Sequence, residues 1–280
     1  MERLREILSI SYSKIHIEVD EIEKREFGYS YNINEKITTR HQSFQNIDEL
    51  KQFLINKPPY YISYSASYYN NPSERMEKKE FIKADFIIDL DSEDLNLAKY
   101  TTKEIFLILK EELGFKKVYI NFSGNRGFHI RVKDERVQNL DSQARSCLIN
   151  YLSMNYSDEV LQSLETVPKN RMHKLYLQNV KLLKPDRIVS TDLSKLLRLE
   201  NSIHCGTGFI AKKIDYKDLD NFDPWKHATI PLNEIDKVIA LQDFSIKTSI
   251  GEIKGEKNKV IEVETPVALY LVLKNFAKFV

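Results

Sequence analysis

The fold of this 280-residue chain turns on two segments, ADFIIDLD (Ala84 to Asp91) and VYINFSGNRGFHIRV (Val118 to Val132). The first is an apolar run that reads as a buried strand, interrupted near its end by Asp89 and Asp91. Successive strand side chains point to opposite faces, so Asp85, Ile87, Asp89 and Asp91 share one face and Phe86, Ile88 and Leu90 the other. Two like charges at the end of a buried strand repel each other and lose hydration, a penalty that a divalent cation between them would remove. The second segment reads as strand, tight turn, strand, with Ser123-Gly124-Asn125-Arg126-Gly127 at the turn. Phe122, Phe128, Ile130 and Val132 then fall on one side, and Ser123, His129 and Arg131 on the other. The expectation is a sheet with an apolar face covered by helices and a polar face open for chemistry. Glycines on both sides of Asn125-Arg126 let backbone amides approach an anion, to which Arg126 and His129 add positive charge. Each signal alone is commonplace, an Asp-x-Asp strand end or a hairpin tip; their placement on one face points to metal with phosphate beside it.

Composition bounds the alternatives. At 42% hydrophobic the chain can bury a substantial core, and 30% charged residues at net +1 indicate a soluble protein that does not hold nucleic acid by bulk charge. Local basic patches exist at Lys181/Lys184/Arg187, Lys195/Arg198 and Lys212/Lys213/Lys217. Cys147 and Cys205 have no Cys-x-x-Cys partner, which predicts a reducing compartment and no structural zinc. The start, MERLREILSI, lacks the apolar core of a secretory signal, and no apolar run is long enough to span a bilayer. The expected location is cytoplasmic or nucleoid-associated, nuclear if the source is eukaryotic, with no membrane contact.

In chain order, Leu4, Ile7 and Leu8 predict a helix over Met1 to about Ser13. Arg25 to Phe44 predicts a hairpin turning at Asn32-Ile33-Asn34-Glu35 and carrying Glu26, Arg40 and His41. Ile47 to Asn56 predicts a helix stopped by Pro58-Pro59, and Tyr60 to Tyr69 a strand. Thr101 with Glu104 reads as a capping box opening a crossover helix that Gly114 ends after Leu113. Helices are expected over Asp141 to Tyr151 and roughly Ser157 to Lys184. In Asp186 to Ile214, Asp192 reads as the cap of a following short helix, while Arg198, His204 and the Gly206-Thr207-Gly208 turn again suit phosphate. Ile230 onward reads as scaffold, ending in a helix from Pro266 to Val280.

Taken in order, these residues resemble the catalytic small subunit of archaeal and eukaryotic DNA primases. Asp89-Leu90-Asp91 looks like the family's Asp-x-Asp motif, and Ser123-Gly124-Asn125-Arg126-Gly127-Phe128-His129 like its Ser-Gly-x-Arg-Gly-x-His motif. Asp192, Leu197-Arg198 and Ser202-Ile203-His204 resemble its third acidic residue and basic-His element. Arg25-Glu26-Phe27, Arg40-His41-x-Ser43-Phe44 and Leu140-Asp141-Ser142-x-Ala144-Arg145 match further blocks, so the resemblance spans Arg25 to Gly208.

The resemblance implies an α+β fold: one primase-polymerase domain over 1–280 with an RRM-like catalytic sheet, helices packed on one face and a helix-rich insertion at about 141–185. It implies Asp89, Asp91 and Asp192 as ligands of Mg²⁺ or Mn²⁺, and Ser123, Asn125, Arg126, His129, Arg198 and His204 as the nucleotide-binding set, with Glu26 and Arg40 shaping the pocket. Implied partners are an iron–sulfur-containing large subunit, a single-stranded DNA template and nucleoside triphosphates. The family's zinc-binding Cys/His insertion is missing, since Ser92 to Tyr100 holds neither residue type. Two other readings stay open: a stand-alone primase-polymerase or repair polymerase of the same superfamily, and a catalytically silent nucleotide- or single-strand-binding module.

Overall fold

Residues 2–153 and 170–280 are described by a computed structural model of the chain. Its centre is a pair of four-stranded antiparallel sheets. The first comprises β1 (Phe27–Ser30), β2 (Thr39–Gln42), β3 (Tyr61–Ser65) and β9 (Leu196–Arg198), in the order β2-β1-β3-β9. Helices α1 (Glu2–Lys14) and α2 (Ile47–Asn56) cover its outer face, burying Leu4, Ile7, Leu8, Leu50 and Leu54 against Phe27, Ile62 and Tyr64. Asn46 starts α2 by accepting the Glu49 N–H, which satisfies one of the amides a helix start leaves free. The Tyr60 to Tyr69 run breaks at Ala66, so that β3 stays in this sheet while β4 (Ser67–Tyr69) pairs with β5 (Phe81–Ala84).

The second sheet holds the deciding segments: β6 (Phe86–Asp91), β7 (Val118–Phe122), β8 (Gly127–Val132) and β10 (Lys213–Ile214), in the order β10-β7-β8-β6. The pleat alternates as expected. Phe86, Ile88, Leu90, Phe122, Phe128, Ile130 and Val132 are buried on one face beneath α3 (Leu95–Leu107), α5 (Ser142–Leu152) and α6 (Arg171–Leu177), with the one-turn α4 (Glu135–Gln138) alongside. Helix α3 runs from β6 to β7, with β8 inserted between those two parallel strands. This is the split β-α-β arrangement of an RRM-like sheet. The α+β class with helices on one face is borne out.

Several boundaries differ. Helix α3 begins at Leu95, capped by Asp94, so Thr101 and Glu104 lie inside it: Thr101 Oγ1 accepts the Leu183 N–H, and Glu104 pairs with Arg171. Asp94 outcompetes the Thr101 box because its carboxylate reaches two free amides, those of Asn96 and Leu97. The helix relaxes into one π turn over Ile108–Glu112 and ends at Gly114, whose φ of +66° is the conformation glycine was expected to supply. Of the helix expected over Ser157 to Lys184, positions 157–169 lie outside the described residues, and the rest contributes only α6. Beyond the sheets and the one-turn α8 (Pro224–His227), β11 (Ile235–Ala240), β14 (Val260–Glu264) and β15 (Ala277–Phe279) form a third sheet against α9 (Thr265–Leu273), with the β12 (Phe244–Thr248)–β13 (Gly251–Gly255) hairpin beside it. The expected last helix therefore stops at Leu273, and its tail returns as a strand because Ala277 and Phe279 complete the β11 edge.

The polar face of the second sheet is only partly open. Ile87, Asn121, His129 and Arg131 face Leu197, Arg198 and Glu200 of the first sheet across a narrow cleft, and Ile87 packs on Leu197 and Ala66. The sheets close on each other at the Asp85 end and part at the Asp91 end. The candidate residues gather at the open end.

Candidate active site

Strand register lays out one wall. Asp89 stands opposite His129, which stands opposite Asn121, and Asp91 faces Gly127 one pair further along. His129 Nε2 lies 3.5 Å from Asp89 Oδ1, and Arg126 Nε lies 3.6 Å from Asp91 Oδ2 while its Nη1 pairs with Glu93. Only glycine fits at position 127, because a Cβ there would lie 2.3 Å from both Asp91 Oδ1 and Leu90 O. Burial, together with the charges of Asp91 and Asp186, raises the Asp89 carboxyl above the ordinary aspartate range, while His129 and Lys36 oppose the rise. Asn125 sits exposed at the turn tip.

The facing wall follows β9. Arg198 lies over the Tyr61 ring at 5.6 Å, and burial lowers its pKa. Beyond it the chain doubles back at residues 204–209: the N–H groups of Thr207 and Gly208 donate to His204 O, and Thr207 Oγ1 donates to Gly124 O at 2.6 Å. This turn locks onto the turn of the opposite wall so tightly that a Cβ at Gly124 would lie 2.7 Å from His204 Cβ. Gly206 N–H donates to His204 Nδ1 at 3.0 Å, which leaves the neutral ring's proton on Nε2. Burial, with Arg198 second, pushes the His204 pKa down to about 3, so it acts as a neutral hydrogen-bond donor.

Four buried polar atoms around this cleft have no hydrogen-bond partner among the described residues: Asp89 Oδ1, Asn121 Oδ1, Ser123 Oγ and Arg198 Nη1. Buried polar groups are nearly always satisfied, so an unsatisfied acidic acceptor on one wall and a guanidinium donor on the other suit a cation and an anion respectively. The donor set is hard oxygen for the one and N–H or O–H for the other, which fits Mg²⁺ or Mn²⁺ with a phosphate. Among the described residues no three Asp, Glu, His or Cys side chains are already gathered as a closed cage.

Three expected members are held by hydrogen bonds within the protein: Asp192, Glu26 and Arg40. Asp192 lies at the C-terminal end of α7 (Arg187–Thr191), exposed, with its Oδ1 accepting the N–H and Oγ–H of Ser194; no helix follows for it to cap. The second acid acting on Asp89, after Asp91, is Asp186, at the opposite end of α7, whose N–H donates to Asp89 O at 3.0 Å. Its carboxylate caps α7 through the Ile188 and Val189 amides. Its sequence signal is a Pro-Asp pair ahead of a short helix, masked because Pro185 also reads as the close of the preceding region. Glu26 and Arg40 bond chiefly to each other: Glu26 is fully buried, accepts from Arg40 Nε (2.9 Å) and Nη2 (3.2 Å), and lies 3.6 Å from Lys79 Nζ, while Arg40 also donates to Ser194 O. They clamp β2 onto the Asp192 turn. Asn121, Glu93 and Lys36 were not foreseen.

Comparison with known proteins places this architecture. A family profile described as DNA primase small subunit matches residues 86–216, from the start of β6 through the His204 turn. The DNA primase small subunit PriS of Pyrobaculum aerophilum is 30% identical over 302 residues, covering 93% of this chain and 94% of that protein. The chain belongs to the DNA primase small subunit family. PriS of Thermoplasma acidophilum is 30% identical over 305 residues, at 92% and 94% coverage. The polymerase domain of Mycobacterium tuberculosis Ligase D, solved in complex with DNA, aligns with a TM-score of 0.50 over 81% of this chain and 84% of that one, at 12% identity, a likeness of fold. The profile match spans the stretch that holds Asp89, Asp91, Ser123, Arg126, His129, Asp186, Asp192, Arg198 and His204. No helix among the described residues of this primase chain is long and apolar enough to cross a membrane.

Proposed function

We propose that this primase small subunit carries out template-directed nucleotidyl transfer, in which a 3′-hydroxyl attacks the α-phosphate of a nucleoside triphosphate and pyrophosphate leaves. The observation that carries the reading is the set of four unsatisfied buried atoms on the walls of one cleft, acidic on one wall and cationic on the other. Asp89, Asp91 and Asp192 would hold divalent cations of the Mg²⁺ or Mn²⁺ class, with Asp186 adding negative charge beside Asp89. Such ions, when bound, lower the pKa of an attacking hydroxyl and neutralise a leaving oxygen. Arg198, Arg126 and Ser123 supply charge and donors to the phosphates, and His204 donates through Nε2. His129, beside Asp89, orients that carboxylate and stands within reach of the same phosphates. The Thr207 to Gly124 hydrogen bond keeps the two walls in register without substrate, so less ordering remains to be done on binding. Single-stranded DNA is the template, and the small-subunit name of the relatives supports a large subunit as partner.

Primer extension by the purified chain, with a labelled primer-template, nucleoside triphosphates and Mn²⁺, tests the assignment. Asp89→Asn and Asp192→Asn should each abolish extension, and Asp186→Asn should weaken it. Asparagine caps a helix as well as aspartate, so Asp186→Asn removes charge and leaves α7 intact. Full activity in a folded Asp186→Asn protein would remove that residue from the site, and a wild-type chain that never extends would sink the proposal.

A further inference from the structure

Arg126 is the one charged side chain in the turn from Ser123 to Gly127, and two carboxylates of its own wall hold it. Asp91 Oδ2 lies 3.6 Å from Nε, and Glu93 takes Nη1 in a close ion pair. These contacts fall on opposite sides of the guanidinium. In an arginine Nε and Nη2 share one edge, the fork that grips a carboxylate or phosphate with two hydrogens, while Nη1 stands on the other side, beside Cδ. Asp91 therefore meets the fork loosely, and Glu93 fills the opposite position tightly.

The backbone brings these side chains together. Asp91 faces Gly127 in the β6–β8 ladder, with no room for a Cβ between them. One residue on, the Ser92 N–H donates to Arg126 O at 3.2 Å, which ties the end of β6 to the hairpin tip. Ser92 Oγ accepts the Asp94 N–H at 3.1 Å, and Asp94 caps α3 through the Asn96 and Leu97 amides. Glu93 is thus set between a strand end and a helix start that are both fixed, although its own side chain is 87% exposed. An exposed ion pair adds little to stability, and an acid beside a phosphate site repels the phosphate. Orientation of Arg126 accounts for its position.

We propose that Glu93 positions Arg126 for the incoming nucleotide: by holding Nη1 it turns the Nε–Nη2 edge toward Asp91, where a phosphate can take both hydrogens once that carboxylate is engaged by a divalent cation. The inference rests on the nucleotidyl-transfer reading and deepens it with a positioning residue that touches neither cation nor substrate. Arg126 is half exposed at a turn tip, so an untethered side chain would lose its rotamer freedom at the moment of binding. Glu93 removes part of that cost beforehand.

Equilibrium binding of ATP to the full chain in Mn²⁺, followed by calorimetry, tests it through the sign of the change. Removing a negative charge close to a phosphate site should by itself tighten ATP. Positioning predicts the reverse. Glu93→Ala should weaken ATP by about fivefold, the upper range of one solvated pair, whereas Glu93→Gln, whose Oε1 still accepts from Nη1, should stay within about twofold of wild type. In an Arg126→Ala background, itself weaker by about tenfold, Glu93→Ala should weaken ATP no further. Primer extension should show the same loss in KM for ATP, with kcat within about twofold of wild type. Unchanged or tighter ATP binding in Glu93→Ala would overturn the proposal, as would an equal weakening in the absence of Arg126. A loss of Mn²⁺ affinity without nucleotide would make Glu93 a cation ligand, and would also overturn it. A wild-type chain that binds no ATP in Mn²⁺ would bring down the nucleotidyl-transfer reading first, and the proposal with it.

Discussion

Asp89 shows how a single side chain stores instability for function. Its carboxyl is raised by burial and by two neighbouring acids, so the folded state carries a charge that it accommodates poorly. For an acid with a raised folded pKa, the cost is absent below the unfolded value and fully present above the folded one. Asp89→Asn should therefore raise the melting temperature at pH 7, with the gain shrinking as the pH falls through the carboxylate range. Millimolar Mn²⁺ should stabilise wild type and leave the variant unmoved; equal shifts in both would dissociate this carboxylate from the metal. His204 has the opposite sign. It stays neutral in the folded chain down to about pH 3, whereas an unfolded histidine protonates near 6.5, so its contribution falls as the pH drops through that window, by up to about 1.4 kcal/mol per pH unit. Urea unfolding at pH 7 and pH 5 should show the stability gap between wild type and His204→Gln narrowing with acid, and parallel curves would refute the buried neutral ring. Parity alone put Asp89, Asp91, Ser123 and His129 on one face. Asp186 escaped because its acidity matters only after α7 folds, when the short helix separates it from Asp192 and brings its backbone to β6.

Strands and turns were legible wherever a local rule sufficed. The β6–β7–β8 sheet follows from period-two alternation and a glycine-flanked turn, and α2 from its apolar spacing and proline stop. What escaped depended on distant partners. The start of α3 is decided by competition between two capping signals, the last strand exists only because β11 offers an edge, and the polar face closes because a second sheet settles over half of it. Glu26 and Arg40 lie close in the hairpin, but sequence does not reveal that the Asp192 turn would arrive to take up the rest of Arg40. Gly127 illustrates why the hairpin turn is built so tightly, and Gly114, at the end of α3, serves as its control. Gly127→Ala would drive a methyl into Asp91 and the Leu90 carbonyl, so the end of the β6–β8 ladder must open, costing about 1–3 kcal/mol and displacing a carboxylate of the site. Gly114→Ala meets no atoms within 4 Å and costs only its left-handed backbone, about 1–2 kcal/mol. Primer extension should collapse in the first variant and persist in the second at comparable stability; retained extension in Gly127→Ala would show that Asp91 tolerates displacement.

At the scale of the whole molecule, the cleft exists because its closed end is riveted by charge. Arg25, fully buried, donates through Nη1 to Ser65 O and Ala66 O at 3.0 Å, pairs through Nη2 with Asp85 at 3.3 Å, and lies 3.4 Å above the Tyr68 ring. Asp85 also accepts from Gln138 Nε2 at 2.8 Å and faces Arg131 at 3.9 Å, while Arg131 reaches Tyr64 and Glu200 on the first sheet. Arg145 joins from α5, donating to the carbonyls of Ala84 and Asp85. Both sheets and the helical layer thus meet at one carboxylate. A buried pair adds little over an apolar packing of the same volume, but removing one partner leaves an unpaired charge inside the protein. Asp85→Ala takes from Arg25 and Arg131 the buried carboxylate they share, leaving them only the more exposed Asp20 and Glu200, and should destabilise the chain by about 3 kcal/mol, whereas Lys237→Ala, which breaks an exposed pair with Glu262, should change stability by less than about 1 kcal/mol. Urea unfolding read by tyrosine fluorescence and by far-UV circular dichroism separates two outcomes. Loss of stability with the two probes still coincident means that the sheets unfold together around this rivet. An early fluorescence transition ahead of the circular dichroism would mean that they hold together by other contacts, and that the cleft can widen without the fold being lost.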